Sequence, residues 1–361
     1  MVEAVSGILV QYLILFAAYA IMSLSFNMEY GFGGIPNFGK VLFVGLGAYT
    51  FGALAAWITL GIGTSRLGLE IVAEDEPAYC TGTAKYVFSQ IVEGGVMTPL
   101  EITGITLLAV VAAIAVGAVG GVVASYPAVR LRGDFLAITL LAMGEIVRLI
   151  VYNSPWPVCA FDGLSGIPSP FSVMGLEHNI SVAVVSLATL AAVYIFVSRA
   201  TNSPWGRALK AVRDNEIAAM VYGYNPARIR LQALAVGSGL AGLAGALLVI
   251  YSGNVNAISF KPDKTFEVIA AVMLGGSANN LGALLGAAIV AGLLVFLNVS
   301  SLRALGIDLP ASVGQALPYM KFTIIGLTII LVLLYRPQGV LPEKPLKTPL
   351  IEWLKRKLGR K

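Results

Sequence analysis

The sequence predicts an all-α protein, a polytopic bundle of transmembrane helices, and three observations support that fold class. The 361 residues are 57% hydrophobic and only 12% charged, with a mean hydropathy of +0.84, whereas a soluble domain has about 25% charged residues. Several apolar runs reach the roughly 20 residues with which a helix crosses the hydrocarbon core. The 40 glycines suit the close approach of membrane helices.

About eight full spans and one half-helix follow from the apolar runs. In chain order the ranges are 8–28, 41–62, 101–125, 133–152, 179–199, 231–251, 266–276, 281–299 and 319–335. The first lacks a preceding basic stretch and a cleavage site, so we expect a retained helix. The seventh, of about 11 residues, reaches only ~17 Å at 1.5 Å per residue. It is predicted to be a half-helix, paired with the span that follows it as a short entering limb and a leaving limb.

The distribution of basic residues predicts the orientation. Connections on one side of the predicted bundle hold 17 Lys and Arg residues and those on the other hold 5, and the richer side is expected to be cytoplasmic. The N-terminus is then outside and the C-terminus cytoplasmic, in a multi-pass plasma (inner) membrane protein. One transmembrane domain covers 1–345, with an exterior loop at 63–100 and a cytoplasmic loop at 200–230, and a basic cytoplasmic tail follows at 346–361.

The two cysteines, Cys80 and Cys159, both fall in predicted exterior loops. Disulfides form in such oxidising surroundings. The sequence does not give the distance between the two loops, so a disulfide and two free thiols both remain open.

Enzyme chemistry has little support in the sequence. There is no H-E-x-x-H motif, no Cys/His cluster and no nucleophile–base pair, so we predict no catalytic residue and no metal site. The string "GIPNFGKV", Gly34 to Val41, approaches the phosphate-binding G-x-x-x-x-G-K-[ST], but Val41 has no hydroxyl and no buried strand precedes the loop. We therefore predict no ATP site. The basic residues lie beside predicted spans, which indicates orientation and not nucleic-acid binding.

Charged residues within spans are the better functional pointers, because a charge at the bilayer centre is costly. "LRGDFLAITLLAMGEIVRLI" carries Asp134, Glu145 and Arg148. Glu145 and Arg148 are i,i+3 neighbours that can pair on a helix surface. Either this pair is structural or it lines a polar pathway, and Asp134 is predicted to cap its helix.

Three apolar stretches are interrupted by glycine and proline: "YGFGGIPNFGKV", "DGLSGIPSP" and "MLGGSANNLGALLG". Irregular backbone at membrane depth occurs where it is buried in protein or lines a cavity, although each stretch is also compatible with an ordinary surface loop. A pathway through these breaks would include Asn37, Tyr49 and Asp162, together with the three charged residues above.

The segment 203–230 predicts two short helices on the cytoplasmic face. Ser203 and Pro204 suit the start of the first, Asp214 the start of the second, and Gly223 its end. Solvent, lipid headgroups or a groove in another protein could face this pair, and the groove agrees best with its apolar side chains. These are Leu209, Val212, Ile217, Met220, Val221 and Tyr222.

The residues resemble a known family. "GRALKAVRDNEIAAMVYGYNPARIRLQALAVGSGLAGLAGALL" is similar to the cytoplasmic loop and following helix of branched-chain amino acid ABC transporter permeases of the LivM type. "LRGDFLAITLLAMGEIVRL" resembles the family's central helix. "FGKVLFVGLGAYT", "VMLGGSANNLGALLGA" and "YRPQGVL" match in order and spacing, and the resemblance covers about 30–345.

This resemblance implies one permease subunit of an ATP-driven importer of branched-chain amino acids, surrounded by membrane lipid. The partners would be a LivH-like second permease, two ABC ATPase subunits and an extracytoplasmic substrate-binding protein. The chain itself would bind no cofactor, because ATP and Mg²⁺ belong to the ATPase. Segment 203–223 resembles the loop that couples permease to ATPase, and the residues implied there are Gly206, Arg207, Arg213, Glu216, Ala218, Ala219 and Gly223.

The sequence departs from the family in two places. Asn37, Phe38, Gly39 and Lys40 stand where relatives often have S-L-G-H. Phe161 and Asp162 open a stretch that in relatives often reads T-G-G-x-x-G. Urea, short amides and other amino acids therefore stay open as substrates, and an ion-coupled secondary transporter is the competing class.

Overall fold

The computed structural model describes residues 2–68, 80, 87–91, 94–131, 133–174, 176–306, 310–336 and 338–343. These residues are predominantly helical with almost no sheet, which agrees with the all-α prediction. The only strands among them are two-residue strands, β1 (Leu164–Ser165) and β2 (Asn254–Val255), which pair antiparallel. The acidic part of the 63–100 loop and the tail 346–361 lie outside the described residues.

Within the described residues, six helices are long and apolar enough to cross a membrane, and they cover the first six predicted spans, except that the helix of the fourth span begins at 134 and not at 133. They are α1 (Val2–Phe26, continued by a π-helix at Asn27–Phe32), α2 (Lys40–Leu67), α3 (Pro99–Arg130), α4 (Asp134–Asn153), α6 (His178–Asn202) and α9 (Pro226–Ser252). The chain is therefore a multi-pass membrane protein.

Shorter helices fill the connections and the C-terminal part. They are α5 (Pro170–Val173), α7 (Pro204–Asp214), α8 (Glu216–Val221), a 3-10 turn (Ala257–Phe260), α10 (Asp263–Gly275), α11 (Asn280–Phe296), α12 (Val299–Ala304) and the longer α13 (Ala311–Tyr335). At ~1.5 Å per residue, α10 is too short to span a membrane, as predicted for 266–276.

The centre of the bundle is α9, which packs against α3, α2 and α1. Small residues allow this contact: a Cβ on Gly242 would lie 2.5 Å from the Ala113 carbonyl oxygen, and one on Gly245 would overlap the carbonyl of Val44. The glycines of "GSGLAGLAG" therefore serve close helix packing, as predicted.

Helix α1 ends in irregular backbone instead of a simple loop. It widens into the π-helix, and the chain then runs without regular structure to Gly39, the N-cap of α2. Gly34 has φ +66°, a left-handed conformation that favours glycine. We call residues 31–39 the break. Most of its residues are buried, as expected of irregular backbone enclosed by protein.

Cys80 and Cys159 form a disulfide with a Cα–Cα distance of 5.4 Å. This finding decides between the two alternatives that the sequence left open. It also brings the 63–100 loop beside the connection between α4 and α6.

Candidate functional site

Three polar side chains are completely buried at the break. The Lys40 ammonium donates to Glu29 Oε1 at 2.7 Å, and Asn37 Nδ2 donates to Glu29 Oε2 at 2.8 Å. All three side chains have 0% exposure. Buried charges are tolerated when they are paired and hydrogen-bonded, so the two bonds explain how Glu29 and Lys40 persist inside the bundle.

Helix α9 closes this cluster from the other side. A Cβ on Gly237 would overlap the Glu29 carboxylate. The Ser25 hydroxyl donates to the Gly237 carbonyl oxygen at 2.5 Å. The absence of a side chain at position 237 is thus what lets Glu29 fit between α1 and α9.

A second buried carboxylate lies on α10. The Tyr19 hydroxyl of α1 donates to Glu267 Oε2, and Glu267 is buried. The nearby Thr265 hydroxyl accepts from the Val41 amide at 3.0 Å. These bonds join α10 to α1 and to the first turn of α2.

The turn between α10 and α11 is held by amide groups. Asn27 Oδ1 accepts from the Ala278 amide at 2.8 Å, and Asn27 Nδ2 donates to Asn280 Oδ1 at 3.2 Å. Asn280 Nδ2 donates in turn to the Thr201 hydroxyl at 3.1 Å. The turn is therefore connected to the end of α1 and to the last turn of α6.

The segment 203–230 does form two short helices, and one predicted cap is wrong. Ser203 caps α7 as predicted, by accepting from the Gly206 amide. The second cap is Asn215 and not Asp214, because Asn215 has the extended backbone (φ −156°) and accepts from the Ala218 amide at 3.0 Å. Asp214 ends α7, where its carboxylate accepts from Arg213 at 2.8 Å.

Helix α7 lies directly on the break. Arg213 Nη1 donates to the Gly31 carbonyl oxygen at 2.6 Å, and the Lys210 ammonium lies 4.9 Å from the centre of the Phe32 ring. Leu209 is fully buried, and its Cδ1 would lie 3.0 Å from a Cβ on Gly33. Any displacement of α7 therefore acts on residues 31–34.

Two of the residues implied in coupling are bound within the chain. Arg213 also pairs with Glu343 at 3.1 Å, and Glu216 pairs with Arg230 at 2.9 Å. Burial lowers the pKa of Arg213, but the hydrogen bonds with Asp214 and Glu343 outweigh it and raise that pKa above its ordinary value. Gly206 and Ala219 are buried, whereas Arg207, Ala218 and Gly223 are exposed.

The predicted apolar set of the two short helices divides into an inner and an outer part. Leu209 and Val212 are buried inside the chain. The outer part forms an exposed apolar surface that we call the α8 patch. Its residues and exposed fractions are Ile217 (73%), Met220 (49%), Val221 (82%) and Tyr222 (84%).

The residues predicted for a pathway are distributed over different environments. Asn37 belongs to the buried cluster. Tyr49 is buried with its ring 5.4 Å from that of Phe260. The predicted pair of Glu145 and Arg148 is confirmed, with bonds of 2.5 and 2.8 Å.

The two aspartates of that prediction are exposed. Asp162 lies in the connection after α4, and Asp134 is the first residue of α4. The N-cap of α4 is Gly133, with no side-chain hydrogen bond, so the predicted capping role of Asp134 is wrong.

Sequence reasoning missed Glu29, Lys40 and Glu267. The predicted spans stopped at 28 and resumed at 41, which left Glu29 just beyond the first span and assigned Lys40 to a predicted cytoplasmic connection. "GIPNFGKV" was considered as a nucleotide loop and as an interrupted apolar stretch, but in neither case was its lysine expected to bind Glu29. A usable signal was present: a carboxylate directly after one apolar run and a lysine directly before the next.

Comparison with known proteins assigns the sequence of this chain to a family. Residues 8–333 match the family described as "Branched-chain amino acid transport system / permease component". The chain belongs to this family. The permease is 35% identical to the probable branched-chain amino acid transport permease protein LivM of Methanocaldococcus jannaschii, over 93% of this chain and 94% of the relative.

More distant relatives include proteins named LivM and proteins named LivH. The high-affinity branched-chain amino acid transport system permease protein LivM of Escherichia coli is 28% identical, over 90% of this permease and 68% of its own length. The corresponding LivH protein of Salmonella typhimurium is 25% identical, over 90% and 91%. No solved structure matches the permease.

Proposed function

We propose that this permease is a transmembrane subunit of an ATP-driven importer of branched-chain, hydrophobic amino acids. Its partners are a LivH-like second permease, two ATPase subunits that hold ATP and Mg²⁺, and an extracytoplasmic substrate-binding protein. The observation that supports this best is the α7–α8 pair, which lies on the break with one side and exposes the α8 patch with the other.

The α8 patch fits a groove in the ATPase. Contiguous exposed apolar side chains mark interaction sites, and an amphipathic helix placed in a groove is a recurrent way of binding. Arg207 and Ala218 are exposed beside the patch and would contact the partner. Arg213, Glu216, Gly206 and Ala219 instead hold the pair on its own subunit.

Alternating access follows from how α7 is seated. Closure of the ATPase dimer displaces α7 and α8, and Arg213 and Leu209 transmit this displacement to residues 31–34. The break then carries the change to Glu29, Asn37 and Lys40, which join α1 to α2. Small shifts are amplified in this way where packed elements have two discrete arrangements.

The proposed path runs beside the buried polar groups. It includes Asn37, Tyr49 and the Glu145–Arg148 pair, with Asp134 and Asp162 towards its two ends. The count of eight spans plus the half-helix α10, the single domain over 1–345 and the exterior N-terminus belong to the same proposal. The disulfide joins two connections that were both predicted to be exterior, so these two connections share one face of the membrane in this proposal.

The test substitutes the α8 patch in the complete transport complex. Val221→Asp places a charge in an apolar contact, so we expect copurification of the ATPase and uptake of radiolabelled leucine to fall about ten-fold or more, as at an interface hot spot. Leu176→Asp is the matched control, because Leu176 is exposed on the predicted exterior side. Inhibition of this uptake by unlabelled leucine, but not by urea, would assign a branched-chain amino acid as the substrate.

Two further variants follow from the resemblance of the loop. Glu216→Lys removes the pair with Arg230, and Gly223→Pro is incompatible with the φ of +85° at that position because proline fixes φ near −65°. Both should abolish uptake while the protein stays inserted. Normal uptake in both, or a wild-type complex without ATPase that imports with an ion gradient, would refute the coupling role.

A further inference from the structure

We infer that residues 338–343 form a strap that transmits the movement of α7 to the α10–α11 hairpin, with Glu343 as the positioning residue. This inference rests on the proposed function, in which α7 moves with the ATPase. It adds a second route of transmission. The first passes from α7 to the break, and the second passes through the strap to the hairpin.

One end of the strap is bound to α7 by charge. Glu343 Oε1 pairs with the Lys210 ammonium at 3.0 Å, and Glu343 Oε2 pairs with Arg213 Nη1 at 3.1 Å. Two basic side chains on successive positions of one face of α7 thus share a single carboxylate. Isolated surface pairs contribute little to stability, but networks of partly buried charges with fixed geometry contribute more.

The other part of the strap is bound to the hairpin by backbone. The Val340 amide donates to the Leu274 carbonyl oxygen at 3.0 Å, and the Leu341 amide donates to that of Gly275 at 2.9 Å. These carbonyls lie in the last turn of α10, where no intrahelical donor is available. The strap therefore completes the C-terminus of α10.

Side-chain and glycine contacts fix the strap on the turn itself. Asn279 Nδ2 donates to the Pro342 carbonyl oxygen at 3.0 Å. Gly339, with φ +74°, would place a Cβ 2.5 Å from Gly276 Cα, and a Cβ on Gly276 would overlap the Leu341 carbonyl. At these two glycines the strap and the turn touch through backbone, and the Asn279 bond holds them together beside it, so a shift of the strap acts directly on the turn.

The hairpin passes the movement into the bundle. Its turn is bound to Asn27 at the end of α1, and Glu267 on α10 is bound to Tyr19 in the middle of α1. Arg213 connects the two routes, because its guanidinium donates both to the Gly31 carbonyl and to Glu343. One displacement of α7 thus acts on the break and on the α10–α11 hairpin at the same time.

The experiment measures substrate imported per ATP hydrolysed in the complete complex reconstituted in liposomes. Glu343→Gln keeps the size of the side chain and removes its charge. We expect ATPase copurification and ATP hydrolysis to remain, and import per ATP to fall about ten-fold, within the range of coupling between distant sites. The control is Glu177→Gln, at an exposed residue before α6, which should import normally.

A double-mutant cycle separates transmission from simple loss of stability. Lys210→Gln alone should lower import per ATP less than Glu343→Gln, since Arg213 still holds the strap. The combined variant should equal Glu343→Gln, because residues of one network are not additive. A thermal midpoint for each variant shows whether folding is intact, and Lys210→Gln remains the test if Glu343→Gln is unstable.

Different failures have different meanings. Unchanged import per ATP in an intact Glu343→Gln complex would refute the strap and leave the proposed function standing. Loss of ATPase copurification in that variant would also refute it, by placing Glu343 in the docking surface. A wild-type chain that copurifies with no ATPase would refute the proposed function and, with it, this inference.

Discussion

Burial of the charged side chains of Glu29 and Lys40 costs free energy. Removing two charges from water carries a desolvation penalty of several kcal/mol per ion, which mutual attraction offsets only with good geometry. Here each partner has 0% exposure, and Asn37 supplies a further hydrogen bond to Glu29. The pair is therefore sensitive to loss of either partner and tolerant of loss of both.

Substitution of the pair tests this at the residue scale. Lys40→Met or Glu29→Gln alone leaves an uncompensated polar or charged group, and we expect a loss of about 3–5 kcal/mol of stability. The double variant should recover most of that loss. Thermal unfolding in detergent, followed by size-exclusion chromatography, measures all four proteins. A double variant less stable than either single one would contradict the pairing.

At the scale of elements, the hairpin of α10 and α11 depends on interlocked glycines. A Cβ on Gly286 would overlap the Ala271 carbonyl, and one on Gly275 would overlap that of Gly282. The two helices therefore touch through backbone over more than one turn. Close contact of this kind replaces the hydrophobic effect as the source of helix association in a membrane.

Gly286→Ala tests this contact. Since the added methyl has no space, α11 must move away from α10, and we expect a loss of about 1–3 kcal/mol by overpacking. Gly292→Ala, at a position further along the same helix α11, is the control, because its Cβ would be 3.7 Å from the nearest side chain. Equal thermal midpoints for the two variants would show that the contact between α10 and α11 has room for a methyl group at position 286.

The elements also show what could be predicted from sequence. The six long spans were predictable because each carries its own apolar length, and the Ser203 cap was predictable because capping is local. Asp214 was mistaken for Asn215, since both residue types cap and only the backbone angle separates them. The sequence marks Glu29 and Lys40 only as charges beside two apolar runs, and their pairing depends on tertiary contacts with α9 and the break. The division of the apolar set between core and α8 patch likewise depends on tertiary contacts.

At the scale of the whole molecule, the disulfide fixes which connections share a side. The chain has two cysteines, and they are joined. Loop 63–100 and the connection between α4 and α6 must then lie on the same face of the membrane. That relation holds whichever way the protein is inserted, so the absolute orientation needs its own measurement.

Thiol labelling in intact cells measures it. A membrane-impermeant maleimide should label the wild-type chain only after mild reduction, and Cys159→Ser without reduction, because Cys80 is then free. Arg207→Cys in a background with Cys80→Ser and Cys159→Ser should react only after permeabilisation. Labelling of that variant in intact cells would show that position 207 lies outside, opposite to the predicted orientation.

The strap has a consequence for how the protein is made. Residues 338–343 bind partners at 210–213 and 274–279, which leave the ribosome long before they do. Helix α7 and the end of α10 are therefore synthesised before the strap residues that bind them. A chain that ends before residue 343 would lack these contacts to α7 and α10, and it would present an incomplete surface to its proposed partners.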